Sequence, residues 1–209
     1  MTSGHDQQAE AGDDALRAFA RRNEPMTALA EQADAVAEAC HAMAVRFHRG
    51  GKLVVFGTGA SSTDAQHVAV EFVHPVIVGK RALPAISLTT DIATVTGIAE
   101  REGIDAIFSH QLRYLAAPSD IALGICATGD CGSVLAGLAA ARQIGMLTIA
   151  LAGGGGAIAA GPAADHVLLA RSDDPRVVKE IHVTMYHLLW ELVHVFFEQP
   201  GALSPGVFA

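Results

Sequence analysis

The chain has 209 residues, 51% of them hydrophobic and only 17% charged, and a formal net charge of −8. A composition this apolar excludes disorder over most of the length and predicts extensive buried surface, part of it between subunits. The acidic balance excludes a nucleic-acid backbone as the main partner.

Residues 1–12 read as a polar tail, and Met1 to Asp14 contains no apolar core of the signal-peptide kind. Residues 13–198 read as one domain with no internal repeat, and 199–209, with Pro200, Gly201 and Pro205, as a second tail. From Asp13 to His48 apolar residues recur at three- and four-residue steps, from Leu16 and Phe19 through Val36, Cys40 and Phe47, which predicts helix. Pro25 is expected to open a second helix there, and Gly50-Gly51 to end it. The helices of 13–50 precede the first strand and are expected to serve oligomer packing.

The first strand is expected at Lys52 to Phe56, followed by a glycine turn and a helix from about Ser61 to Val73. A second strand follows at Ala85 to Leu88, and Thr90 or Asp91 can cap a helix running to about Ala99. A helix is expected over Asp105 to Leu115, a strand over Ile121 to Ile125, and a helix over Ser133 to Ile144. Strands are expected at Met146 to Leu151 and His166 to Leu169, and a last helix at Pro175 to Glu198. The uncharged run Gln143 to Ala164 is broken by Gly153 to Gly156, Gly161 and Pro162, so it reads as strand and loop and not as a membrane span. Uniformly apolar strands alternating with helices predict a parallel sheet covered on both faces.

The chemistry concentrates in Phe56 to Phe72. Gly57 and Gly59 permit a sharp turn, and Thr58, Ser61, Ser62 and Thr63 bring hydroxyls and N–H groups to a helix N-terminus suited to an anion. His67 and Glu71 then share one helix face at a spacing of four. After the third strand, Cys126 to Cys131 encloses Thr128, Gly129 and Asp130, with Ser133 just beyond. Cys40, Cys126 and Cys131 form no even framework and are expected to be reduced thiols in a cytoplasmic protein.

Four segments carry a resemblance to a known family. They are Phe56 to Phe72, Leu-Pro-Ala-Ile-Ser-Leu-Thr-Thr-Asp at 83–91, Ile-Phe-Ser-His-Gln-Leu at 107–112, and Lys-Glu-Ile-His-Val-Thr-Met-Tyr-His at 179–187. In these the chain resembles the SIS (sugar isomerase) domain, and within it the phosphoheptose isomerase group. The resemblance implies a three-layer αβα sandwich with a flavodoxin-like five-stranded parallel sheet. It also implies aldose–ketose isomerisation of sedoheptulose 7-phosphate, or a related phosphorylated sugar, in a homotetramer with sites between subunits and no membrane.

By motif position the family's His, Glu, Gln and His of the site correspond to His67, Glu71, Lys179 and His187. Glu71 and His187 are then the acid/base pair. Two arrangements are open for the cation position. Zinc can be held by His67, Glu71 and His187 with an open position. Alternatively the Lys179 ammonium fills the position, pairs with Glu71 and stabilises the enediolate oxygen; this is preferred, because a metal would be repelled by a neighbouring cation. The family's serine-rich phosphate loop is eroded here to Cys126–Cys131. Thr58, Gly59, Ser61, Ser62, Asp91, Thr128, Ser133 and Arg176 remain as substrate- or phosphate-binding candidates, with capping as the alternative role of Ser61, Ser62, Thr128 and Asp91. The competing reading is a non-catalytic SIS protein that binds a phosphosugar as a regulator or assembly factor.

Overall fold

The computed structural model describes residues 4–199, 201 and 203, so the expected C-terminal tail lies almost wholly outside the described residues. Two helices, α1 (Gly4–Ala30) and α2 (Ala33–His48), lead into β1 (Leu53–Gly57) and α3 (Ala60–Val73). Then come β2 (Ala85–Ser87), α4 (Ile92–Glu102), a 3-10 turn (Ile104–Ala106) and α5 (Ile107–Leu115). The chain continues through β3 (Ile121–Cys126), α6 (Gly132–Ile144), β4 (Leu147–Gly153), α7 (Gly156–Ala160), β5 (His166–Ala170) and α8 (Pro175–Glu198).

The five strands are all parallel, in the order β2-β1-β3-β4-β5. This is the doubly wound order whose reversal point lies between β1 and β3. Alternation along the strands sends side chains to two separate cores. Leu53, Val55, Ile121, Leu123 and Ile149 pack with α2, α3 and α8. Val54, Phe56, Ala122, Ala150 and Ala152 pack with α4, α5 and α6. The result is helix layer, sheet, helix layer.

Two sequence expectations in the N-terminal segment need correction. Residues 4–12 continue α1 and are not a tail, and Pro25 lies inside that helix instead of opening another. Proline's fixed φ is itself helical, so the ring interrupts a hydrogen bond without forcing a new start. The break falls at Glu31-Gln32, where Gln32 is tied at both ends of its amide to the backbone of Leu169 in β5. Elsewhere the expected and observed elements differ by at most three residues at their ends, and the last helix has the expected bounds, Pro175–Glu198. Asp91 caps α4 by accepting from the N–H groups of Ala93 and Thr94, and Gly103 at φ 89° ends it.

No helix among the described residues is long and apolar enough to cross a membrane.

Candidate active site

The site is built between α3 and α8, which lie side by side. On α3, Asp64, His67 and Glu71 follow the three- and four-residue steps of one helix face. On α8, Lys179, Tyr186, His187 and Trp190 answer them in the same order along the chain. The Lys179 ammonium donates to Asp64 Oδ1 at 2.7 Å, to the Ala60 carbonyl at 3.0 Å and to Thr63 Oγ1 at 3.1 Å. The Tyr186 hydroxyl lies 2.8 Å from His67 Nδ1. His187 Nε2 lies 3.7 Å from Glu71 Oε2, and the Trp190 indole donates to the Glu71 carbonyl at 3.0 Å.

Glu71 is the floor of this arrangement. Its side chain is 11% exposed, against 44% for each of His67 and His187, so the two imidazoles form the rim and the carboxylate lies below them. One carboxylate oxygen faces each ring: Oε1 is 3.2 Å from His67 Nε2, and Oε2 faces His187. The ring planes of His67 and His187 stand nearly perpendicular, with centroids 5.4 Å apart. An ionised carboxylate only accepts, so the network assigns the proton of a neutral His67 to Nε2, and the Tyr186 hydroxyl donates to Nδ1. Burial, with the Asp64 and Glu71 charges, pushes the Tyr186 phenol well above its ordinary range, so it is a neutral hydroxyl.

The donor atoms of His67, Glu71 and His187 all lie within 4.8 Å of one another. Tetrahedral zinc with bonds of about 2.0–2.1 Å needs ligand atoms roughly 3.4 Å apart. With one donor atom from each side chain and all three near that spacing, the residues fit a His₂Glu zinc site with room for a further ligand. The preferred alternative, Lys179 in the cation position, is corrected. Lys179 is eight residues before His187, about 12 Å along the helix, and its ammonium reaches the first turn of α3 and pairs with the buried Asp64, not with Glu71.

The phosphate-binding candidates divide. Gly59, at φ 58°, turns the chain from β1 into α3. A side chain at Gly57 would collide with the Ile125 carbonyl and with Ser61, so the β1 and β3 ends approach closely only because Gly57 has none. The Ser62 hydroxyl donates to the Gly59 carbonyl and the Thr63 hydroxyl to the Ala60 carbonyl; no side chain caps α3, and its Ser61 and Ser62 N–H groups donate to the Thr58 and Gly59 carbonyls in a tight first turn. Ser61 is buried. A cavity of about 310 Å³ opens beside this turn, lined by Gly57, Thr58, Gly59, Ser62 and Thr89 and by the apolar side chains of Ile92, Val95 and Phe108. Asp91 lies outside it: its carboxylate is taken by the α4 N-terminus and by the Thr94 hydroxyl, which hold it below the usual range. Arg176 is forked onto Asp174, the cap of α8, and holds that carboxyl at about 2.

After β3, Cys126 and Cys131 are joined by a disulfide, which overturns the expectation of reduced thiols there; Cys40 is free and buried. The bond closes the loop at its two ends, with the exposed Thr128 hydroxyl between the sulfurs. The Asp130 N–H donates to that hydroxyl, while the Asp130 carboxylate accepts from the Ala157 N–H at the start of α7. Ser133 is buried in the first turn of α6.

Sequence reasoning missed Asp64 and Tyr186. Asp64 was signalled by its spacing from His67 and Glu71. Tyr186 was signalled by a phenol interrupting the apolar stripe of the last helix beside His187.

The fold and site together define a doubly wound α/β protein with a carboxylate set between two imidazoles of facing helices. The chain belongs to the SIS-domain family, whose pattern it matches over residues 19–153, and within it to the phosphoheptose isomerase group. It is 43% identical to the phosphoheptose isomerase of Solidesulfovibrio magneticus over 176 residues, 84% of this chain and 85% of that one. Its fold is similar to the phosphoheptose isomerase of Francisella tularensis, with a TM-score of 0.82 and 31% identity over 88% of this chain and 98% of that one. The corresponding enzyme of Neisseria gonorrhoeae gives a TM-score of 0.79 and 28% identity over the same shares.

Proposed function

We propose that the protein is an aldose–ketose isomerase of the phosphoheptose type, acting on sedoheptulose 7-phosphate. The observation that carries this reading is the convergence of His67, Glu71 and His187 from two helices. Isomerisation moves a proton between adjacent carbons and adjusts protons on their oxygens. Glu71 is the carbon base: it is the buried carboxylate of the set, and each of its oxygens is steered by an imidazole. His187, on the opposite rim, exchanges the proton of the substrate oxygen. His67, Glu71 and His187 are the residues that would hold zinc, and a bound zinc would polarise the carbonyl as a Lewis acid.

Chain length supports a long substrate. His67 is seven residues beyond Ala60, about 10 Å of helix, so the phosphate turn and the imidazole are separated by the reach of an extended heptose phosphate. In this reading the α3 N-terminus, Thr58, Gly59 and Ser62 hold the phosphate, with Thr128 contributing from the neighbouring loop. The assembly belongs to the same proposal: a homo-oligomer, a tetramer in our reading, working in the cytoplasm.

The test is interconversion of sedoheptulose 7-phosphate by the purified protein, followed in the wild type and in Glu71→Gln. The variant should keep its fold and lose about 10²–10⁴ in kcat. Absence of turnover by folded wild-type protein rejects the isomerase. The reduction of the β3 loop to a single exposed hydroxyl, Thr128, favours a second reading, a phosphosugar-binding regulator. That reading requires the cellular role to survive Glu71→Gln.

A further inference from the structure

We propose that Tyr186 is the positioning residue that holds the His67 imidazole in register with Glu71 and His187. The inference rests on the reading of those three side chains as the reactive set, and it concerns how one of them is kept in place. His67 lies on the rim with almost half its side chain in solvent, so packing alone leaves its ring free to turn. Two hydrogen bonds fix it. Nε2 faces Glu71 on its own helix, and Nδ1 faces the Tyr186 hydroxyl, which arrives from α8.

The phenol is well placed for this task. The residue is 1% exposed, on a buried helix face that it shares with Val178, Ile181, His182, Met185 and Leu189. A hydroxyl buried among such neighbours is unfavourable unless it is partnered. Its partner is His67. The ring meets His67 edge-on with centroids 5.3 Å apart and also packs against His187 at 4.9 Å. One rigid side chain therefore braces both imidazoles.

A phenol also does what a carboxylate or carbonyl in its place would not. It donates when the His67 proton is on Nε2, facing Glu71. It accepts when Nε2 must present a lone pair to a cation and the proton moves to Nδ1. The hydroxyl rotates between these roles while the ring stays put. An acceptor-only partner would hold the proton on Nδ1 at all times and leave Nε2 without a proton to give to Glu71. Outer partners of metal-binding histidines set affinity in this way, and their removal typically weakens it by about 10–100-fold.

The experiment compares wild type, Tyr186→Phe and His67→Ala in three measurements. These are zinc affinity by competition with a chromophoric chelator, histidine tautomers by long-range proton–nitrogen spectra, and turnover of sedoheptulose 7-phosphate. The His67 signals are assigned by their loss in His67→Ala. In the metal-free wild type they should show a single Nε2–H form, converting to Nδ1–H on adding zinc. Tyr186→Phe should melt within a few degrees of wild type, mix the two tautomers, bind zinc about 10–100-fold more weakly and lose kcat with little change in KM. Mixed tautomers in the metal-free wild type would overturn the proposal whatever the variant does. So would a Tyr186→Phe protein with wild-type tautomer, zinc affinity and kcat. A wild type that turns over no sugar but shows the tautomer dependence rejects the isomerase and leaves Tyr186 as the brace of His67.

Discussion

At the scale of single residues, Lys179 and His182 show how a position in a motif differs from a position in space. Lys179 stands where the family places a glutamine, yet its ammonium closes on Asp64, whose side chain is 6% exposed. Replacing Lys179 by Met removes the counter-ion of a buried carboxylate. Because the lysine itself is part-exposed, the expected loss is about 1–3 kcal/mol, read as a melting temperature lower by several degrees, with the His67, Glu71 and His187 cluster intact. His182, one turn along, is fully buried, and its Nε2 has no hydrogen-bond partner among the described residues. Burial is the main cause that holds its pKa below the ordinary 6.5. The native state therefore favours the neutral ring, and the unfolded chain binds the proton more readily. The stability this group contributes is complete above pH 6.5 and declines as pH falls below it, towards the lower native pKa. Denaturant titrations should show a stability slope below pH 6.5 that flattens in His182→Phe.

At the scale of elements, the β3 loop is the least ordinary part of the site. Its disulfide makes a definite thiol count the expected result. The folded, oxidised protein should give no reaction with a thiol reagent, because the remaining Cys40 is buried and its pKa is raised by desolvation to about 12. Mild reductant should expose two thiols, and denaturation in reductant three. Two reactive thiols before any reductant is added would show the loop to be open. How far the sequence made these elements legible follows from what sets each one. The strands were readable because a sheet covered on both faces needs uninterrupted apolar runs, as in Leu53–Gly57 and Ile121–Cys126. His67 and Glu71 were readable because a helix turns a spacing of four into a shared face. The ion pair of Lys179 with Asp64 joins residues 115 positions apart, and no local pattern encodes which turn of α3 a long side chain on α8 will meet. The cysteines five residues apart carried no pairing signal until the turn at Gly129 brought the ends together.

At the scale of the whole molecule, the surface of the folded chain carries apolar groups that its own core does not use. Leu16 and Phe19 on α1 are 68% and 71% exposed, and Val76 and Val78, beyond α3, are 72% and 101% exposed. The proposed homo-oligomer would cover such groups, and in that reading Leu16→Glu with Phe19→Glu should shift the mass measured by light scattering towards the single chain. The glycine backbone beside the disulfide has a consequence for motion. Gly129 and Gly153 each lie so close to the facing strand of loop, at the Gly155 and Ala127 carbonyls, that a methyl group at either position would overlap it. The Ile158 N–H and the Ala157 N–H are bonded across the same seam, to Gly129 and Asp130. The loops after β3 and β4 are therefore one cooperative unit. Neither can breathe alone, and whatever loosens one releases both from the sheet edge together.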